Sequence, residues 1–248
     1  MADLAERLTN TERNQTYANR RPKDAATLLI LDRTAGGPVR VLMGRRHERH
    51  VFLPGKFVFP GGRVDPGDSR VRACGDYHEA IRNKLMHAMK GPKTEARARA
   101  FGIAAIRETF EETGVFIGSK EDTPHLPKSD PTWCAFAERG IVPDLSPIRY
   151  VGRAITPPRR SRRFDTRFLV VFADAVAGTL PEGTGPSGEL EEVDWPTLAE
   201  AHDLELPTIT KVIIEELEER LACDPKLAPE TPVPFYYWLG SGFRRDLI

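Results

Sequence analysis

The amino-acid sequence predicts an α/β (α+β) fold, a mixed sheet with helices packed against it. Three observations carry this. Strand-like runs outnumber helical ones through the middle of the chain, they do not alternate strictly with helices, and two strongly helical stretches can cover a sheet. The 248 residues fit one domain of generous size, or one domain with an appendage. A hydrophobic content of 40% beside 29% charged residues is ordinary for a folded chain and too apolar for bulk disorder.

The elements follow in order. Residues 1–21 read as a weakly ordered or helical lead-in. Residues 25–31, all apolar but for Thr27, read as a buried strand. Residues 32–38 hold Gly36-Gly37 and read as a turn, with 39–43 as the return strand of a hairpin. A third strand is expected at 56–59, stopped by Pro60-Gly61-Gly62. A polar stretch punctuated by glycine and proline follows, with a short helix near 78–89. Residues 94–113 are Ala-rich, lack proline and end at Gly114, a residue suited to a left-handed helix cap. Further strands are expected at 115–117, 148–155, 168–173 and 191–195. A last helix over 207–222 places Ile209, Val212, Ile213, Leu217 and Leu221 on one apolar face. No internal repeat is visible. The division expected is a lead-in over 1–21, one domain over 22–222 and a C-terminal tail over 223–248.

Composition excludes several classes of function. Lys+Arg and Asp+Glu both number 36, so the chain lacks the basic excess that nucleic-acid binding demands. A membrane-spanning helix needs about 20 apolar residues. The runs at 25–31 and 168–178 fall short of that, so neither a nucleic acid nor a membrane is an expected partner. Residues 1–19 are polar and carry both charges, unlike a secretory signal. Cys74, Cys134 and Cys223 lie far apart in sequence, which fits reduced thiols and a cytoplasmic location.

The chemistry concentrates in Arg107-Glu108-Thr109-Phe110-Glu111-Glu112-Thr113-Gly114-Val115. On a helix, Glu108, Glu111 and Glu112 stand at i, i+3 and i+4, where like charges repel. Arg107 alone cannot balance them, and hard divalent cations are the natural partners of such oxygen ligands. An acidic run by itself says little. Glu215-Glu216-Leu217-Glu218-Glu219 has the same spacing and reads most simply as a solvated face. The set Arg, Glu, Glu, Glu, Gly at fixed spacing has a chance rate of only about 10⁻⁶ per start position at average residue usage. Upstream, Phe59-Pro60-Gly61-Gly62 is followed by Arg63-Val64-Asp65-Pro66-Gly67-Asp68, and its two glycines permit a sharp bend and close backbone approach to a ligand.

Together these segments resemble the box of Nudix hydrolases, G-x5-E-x7-R-E-U-x-E-E-x-G-U with U apolar. Counting from Gly62, the first acidic position falls on Asp68, an aspartate where the family has glutamate. The second half matches 107–115, with Thr109 at an apolar position. Between the halves, residues 69–106 make 38 positions where the box allows seven, an apparent insertion of 31 at about 69–99. The sequence poses a geometric question here: whether Asp68 still meets Arg107. Phe52-Leu53-Pro54-Gly55-Lys56-Phe57-Val58, the insertion, and Arg163-Phe164-Asp165-Thr166-Arg167-Phe168 are similar to peroxisomal coenzyme A diphosphatases and their bacterial relatives. The last four residues form no peroxisomal address, which points to a bacterial cytoplasmic relative.

The resemblance implies a Nudix-type α/β/α sandwich with the insertion before the catalytic helix. It also implies metal-dependent hydrolysis of a pyrophosphate linkage in a nucleoside diphosphate conjugate, coenzyme A or acyl-coenzyme A first. ADP-ribose or a dinucleotide is the alternative substrate, and a catalytically silent nucleotide-sensing module the alternative class. Mg²⁺ or Mn²⁺ is the expected cofactor, with Glu108, Glu111 and Glu112 as ligands beside a backbone carbonyl of Gly61 or Gly62. Glu108 is a further ligand or the base, Arg107 orients the carboxylates, and Glu189 is the candidate for a ligand or base from a late loop. On this reading Glu111→Gln abolishes turnover. The basic loop with Arg159, Arg160, Arg162 and Arg163 suits substrate phosphates, or is a solvated surface. Arg45, Arg46 and Arg49 admit the same two readings. His47, His50 and His125 read as surface or structural; Trp195 and Phe235-Tyr236-Tyr237-Trp238 suit stacking of an adenine base, or more simply core packing or a subunit contact. The partner expected is a small nucleotide, and homodimers are common in the family.

Overall fold

A computed structural model describes residues 4–11, 16–33, 36–47 and 55–248. Phe52-Leu53-Pro54, Arg49 and His50 lie outside the described residues. The strands are β1 (Lys23–Asp32), β2 (Arg40–Val41), β3 (Met43–Arg46), β4 (Phe57–Val58), β5 (Gly61–Arg63), β6 (Val115–Ile117) and β7 (Ser119–Lys120). After these come β8 (Ile141–Val142), β9 (Arg149–Ile155), β10 (Phe164–Phe172), β11 (Val176–Thr179), β12 (Leu190–Asp194), β13 (Pro234–Leu239) and β14 (Gly242–Leu247). The helices are α1 (Leu4–Thr11), α2 (Glu79–Met86), α3 (Glu95–Thr113), α4 (Pro131–Glu138), α5 (Leu198–Ala201) and α6 (Thr208–Cys223).

The main sheet runs β14-β13-β9-β10-β1-β2, with β5 also paired to β1. It is mixed. β1 is parallel to β10, β10 antiparallel to β9, and β13 parallel to β9. Successive side chains of β1 enter opposite layers, as a strand's period of two requires. Ala26, Leu28 and Ile30 join the core under α3, with Phe101, Ile106 and Phe110. Leu29 and Leu31 join the other core, with Val212, Ile213 and Leu217 of α6 and Leu8 of α1. Both faces are covered, and the architecture is the expected α/β/α sandwich.

Local chemistry places α3 where its sequence directs. The Thr94 side chain accepts a hydrogen bond from the Arg97 backbone N–H, capping the first turn. At the other end Gly114 takes a left-handed φ of 72° and donates its N–H to the Phe110 carbonyl. The last residues of the insertion, 95–99, are therefore helix, extending α3 well before Arg107, while α2 forms an excursion ahead of it. The excursion is held down by Arg153, which donates to the His87 carbonyl at 2.8 Å, and by Lys84, which donates to the Pro229 carbonyl at 2.8 Å.

Several expectations need correction. Gly61 and Gly62 do not stop a strand by bending; they are a strand, β5, paired with Thr27 and Ala26 of β1. An added Cβ on Gly61 would overlap the Thr27 backbone, so close strand approach is what requires glycine there. Met43 leaves the expected hairpin and joins a second sheet, β12-β3-β4. The packed unit is wider than 22–222. In α1, Leu8 is buried and Arg7 pairs with Glu215 at 2.6 Å, while β13 adds to the main sheet beside β9. The acidic run in α6 is not simply solvated: Glu216 is buried, accepts from Tyr236, and pairs with Arg245 at 2.6 Å. Among the described residues no helix is long and apolar enough to cross a membrane.

Candidate active site

Arg107 is the hub of the site. An arginine carries five N–H donors in a planar fork, and here each has an acceptor. Nε and Nη2 grip the two Asp68 oxygens at 2.9 and 3.1 Å, and Nη2 also donates to the Arg63 carbonyl at 3.0 Å. Nη1 donates to Glu108 at 2.8 Å and to Glu111 at 3.2 Å. Asp68 in turn accepts the Asp65 N–H at 2.7 Å, which fixes the loop that carries it. The insertion therefore leaves and returns without separating Asp68 from Arg107. Burial works against the charge of Arg107, but Asp68, Glu108 and Glu111 outweigh it and hold the guanidinium more firmly protonated than usual.

The three glutamates part company. Glu108 and Glu112, one helical turn apart, face Gly61 and Gly62 and line a cavity of about 790 Å³. Glu111 faces α4 instead, where the Thr132 hydroxyl donates to it at 2.7 Å, and it lines a separate cavity with Asp65, Asp68 and Asp130. The three carboxylates of the expected ligand set therefore do not open onto one cavity, although Glu108 and Glu111 share the Nη1 of Arg107. Glu112 is 3% exposed and accepts the Gly61 N–H at 3.0 Å. Burial pushes its carboxyl up to about 8, with Glu108 and Glu189 adding to the rise and the Gly61 N–H and Arg46 opposing it. Glu108 is also raised, first by burial and then by Glu111 and Glu189, against the pull of Arg107.

Gly62 lies directly against Glu108, and an added Cβ would overlap its carboxylate. Gly62→Ala is thus expected to displace Glu108 and lower kcat by about 10- to 100-fold, the penalty of a misplaced reacting group. The displaced atoms end a flexible side chain, so the melting temperature should stay near that of the wild type. Steady-state kinetics beside a thermal melt checks both.

Glu189 reaches the same cavity. β12 pairs with β3 through Leu190 and Arg46, and Arg46 Nη2 donates to Glu189 at 2.8 Å. Of the basic loop, which joins β9 to β10, Arg160 and Arg162 line the cavity. Arg163 is turned to the Thr156 carbonyl at 3.1 Å and to Asn19 at 2.9 Å. Arg159, at a left-handed φ of 59°, is not among the lining residues. Arg46 is the cavity residue that sequence reasoning could not single out from its neighbours. Arg45 pairs with Glu192 at 3.2 Å, and His47 with Glu191 at 3.2 Å, away from the carboxylates of α3. His125 contacts the Thr123 carbonyl. Neither Trp195 nor the aromatic run of β13 lines the cavity.

The run from Arg163 to Phe168 divides by strand alternation. Phe164, Thr166 and Phe168 face the cavity, while Asp165 and Arg167 are buried on the opposite side. There Arg153 grips Asp165 with two bonds of 2.8 Å, and Arg167 stacks on the Phe101 ring at 4.1 Å. Three of the six residues line the site, while Arg167 ties the sheet to α3 and Asp165 ties β10 to β9.

No protein-family model matches the chain. A solved NUDIX hydrolase from Alicyclobacillus acidocaldarius is 24% identical, with a TM-score of 0.54 over 84% of this chain and 89% of that one. The fold is the Nudix fold. Among curated proteins, the acyl-coenzyme A diphosphatase NUDT19 of Xenopus laevis is 24% identical over 72% of this chain and 63% of its own length. Nudix hydrolase 7 of Caenorhabditis elegans is 28% identical over 61% of this chain and 45% of its own. The chain thus spans under two thirds of the length of these relatives. It resembles Nudix hydrolases of the coenzyme A diphosphatase kind, in sequence through the box and in structure through the sandwich that presents it.

Proposed function

We propose that the chain is a divalent-metal-dependent pyrophosphohydrolase of nucleoside diphosphate conjugates, with coenzyme A or acyl-coenzyme A as substrate. The observation that carries this is one cavity holding two crowded carboxylates, half-buried Glu108 and buried Glu112, against the Gly61-Gly62 strand, with Arg46, Arg160 and Arg162 in its walls. The donor set fits a hard cation. Burial and neighbouring carboxylates disfavour the charged forms of Glu108 and Glu112, and a nearby cation reverses that preference. Among the described residues no group of three or more acidic, histidine or cysteine side chains is ready to cage an ion. That suits Mg²⁺, which commonly takes one or two carboxylates and completes its shell with water and substrate phosphates.

Bound by Glu108 and Glu112, Mg²⁺ or Mn²⁺ would screen the pyrophosphate and acidify an attacking water. The chain supplies the rest. Arg160 and Arg162 offer planar forks to phosphate oxygens, and Arg107 fixes the Glu108 carboxylate by a charge-assisted hydrogen bond. Glu189 stands within the cavity as acceptor for a water proton, held by Arg46. The Xenopus relative named as an acyl-coenzyme A diphosphatase supports coenzyme A as the substrate.

The test is a panel of coenzyme A, acyl-coenzyme A, ADP-ribose, NADH and nucleoside triphosphates with Mg²⁺ and Mn²⁺, products identified by mass. Coenzyme A conjugates should exceed the others in kcat/KM by about tenfold or more, a discrimination that a few extra contacts supply. They should yield a phosphopantetheine and an adenosine bisphosphate. A preference for ADP-ribose would move the substrate to the alternative. Saturable nucleotide binding without hydrolysis in either metal would overturn the reading in favour of a silent sensing module.

A further inference from the structure

The cavity continues past the carboxylates. From β5 it crosses β1, β10 and β9, lined in turn by Thr27, Thr166 and Ala154. Three strand spacings of about 4.8 Å carry it roughly 14 Å from Gly62. Its far end changes character. Leu8 of α1, Phe168 of β10, Ile209 of α6 and Phe243 of β14 close it, with Thr210 adding a hydroxyl. Leu8 and Phe243 belong to one apolar cluster, and the Phe243 N–H donates to Thr9 at 2.8 Å, which binds the two terminal segments together. A nucleobase or ribose here would leave its polar edges largely unpaired against methyls and rings, a costly arrangement. An aliphatic chain would leave no polar group unpaired and would gain apolar burial.

We infer that this far end binds an apolar substituent on the arm of the substrate opposite its nucleoside, with Leu8, Ile209 and Phe243 limiting its size. The inference rests on the hydrolase reading for its substrate and extends it to an acyl-group subsite built by α1, β14 and the start of α6. The two terminal segments thereby form the end wall of the cavity rather than decorating the sandwich.

Two variants test it. Ile209→Trp fills the end, and Phe243→Ala opens it. For wild type and both variants, kcat/KM is measured on coenzyme A, hexanoyl- and decanoyl-coenzyme A, and ADP-ribose. Binding of the coenzyme A species is measured by calorimetry in EDTA, where no turnover occurs. Ile209→Trp should lower kcat/KM for decanoyl-coenzyme A by about tenfold or more while ADP-ribose stays within about twofold, since lost methylene contacts act only on the arm. The tighter metal-free binding of decanoyl-coenzyme A over coenzyme A should vanish with it. Phe243→Ala should shift the preference towards the longer chain. Equal losses on all substrates in Ile209→Trp, or a chain-length preference unchanged by both variants, would overturn the subsite. Wild-type protein that hydrolyses no conjugate, yet keeps the chain-length difference in EDTA, would sink the hydrolase reading and leave the subsite standing.

Discussion

Glu112→Gln is expected to lower kcat by about 10³-fold, the equivalent of roughly 4 kcal/mol of charge stabilisation at the reacting phosphate. Glutamine keeps the shape and can still accept the Gly61 N–H, so the fold should survive. The same change should act on stability with the opposite sign. Burial first, and then Glu108 and Glu189, push the Glu112 carboxyl from its ordinary 4.5 up to about 8. Between those two values the unfolded chain has released this proton while the folded one retains it. Each rise in pH therefore favours unfolding, and the metal-free wild type loses stability across that window. Glutamine does not titrate, so the variant lacks that slope. At pH 8 in EDTA it should exceed the wild type by roughly a few kcal/mol, the cost of holding that charge in the fold. Saturating Mg²⁺ should narrow the gap, because only the wild-type carboxylate gains from a cation. Thermal melts at several pH values, with and without metal, read this independently of turnover. A variant no more stable than wild type at pH 8, or one with full activity, would remove Glu112 from the metal site. Glu111→Gln should lose only about tenfold, because Glu111 meets Thr132 and Arg107 outside the cavity and acts through them.

The parts of this molecule that were legible in its sequence are those fixed by local rules. Thr94, Gly114 and the absence of proline between them specify α3 because caps and propensity act within a few residues. The alternation of β1 is visible as an apolar run because both its faces are buried. What stayed hidden depends on partners far along the chain. Strand β13 is short and aromatic, and its place beside β9 follows from parallel pairing that no local pattern encodes. Glu216 looks solvated until Arg245 and Tyr236 arrive from the C-terminal hairpin. Helix α4 does carry a signal, Asp130 capping with Pro131 at its first position, but its 8 residues are too few for Trp133 and Phe136 to set a clear apolar period. The three glutamates were legible as a cluster, but which two share a cavity depends on how α3 is rotated against β5. That rotation is set by packing of Phe101, Ile106 and Phe110 into the core, not by the spacing of the acids.

Asp68→Asn should have the largest effect on stability of any single change at the site. The carboxylate is 3% exposed and answers two of the five donors of a guanidinium that is itself buried. An amide of the same size can face that fork with only one oxygen, and its NH₂ points a donor at a donor. Arg107 keeps Glu108 and Glu111 at Nη1 but loses its bidentate partner, a cost of up to about 3 kcal/mol, the low end for breaking a buried pair, which in a chain of this size lowers the melting temperature by roughly 5–10 °C. The damage should reach the chemistry as well. With Asp68 gone, Arg107 keeps only the Arg63 carbonyl on that side, a weaker hold, and Glu108 depends on Arg107 for its position. A double variant separates the two roles. Asp68→Asn combined with Arg107→Met removes the half-paired guanidinium, so part of the stability should return, as buried ion pairs often yield to apolar residues at little cost. Activity should not return, because nothing then orients Glu108. Recovery of both would mean that the pair merely fills space. The contact joins residues 39 positions apart, with the whole of α2 and most of α3 between them. If the double variant behaves as argued, the insertion is tolerated because this one bidentate contact re-forms the box across it.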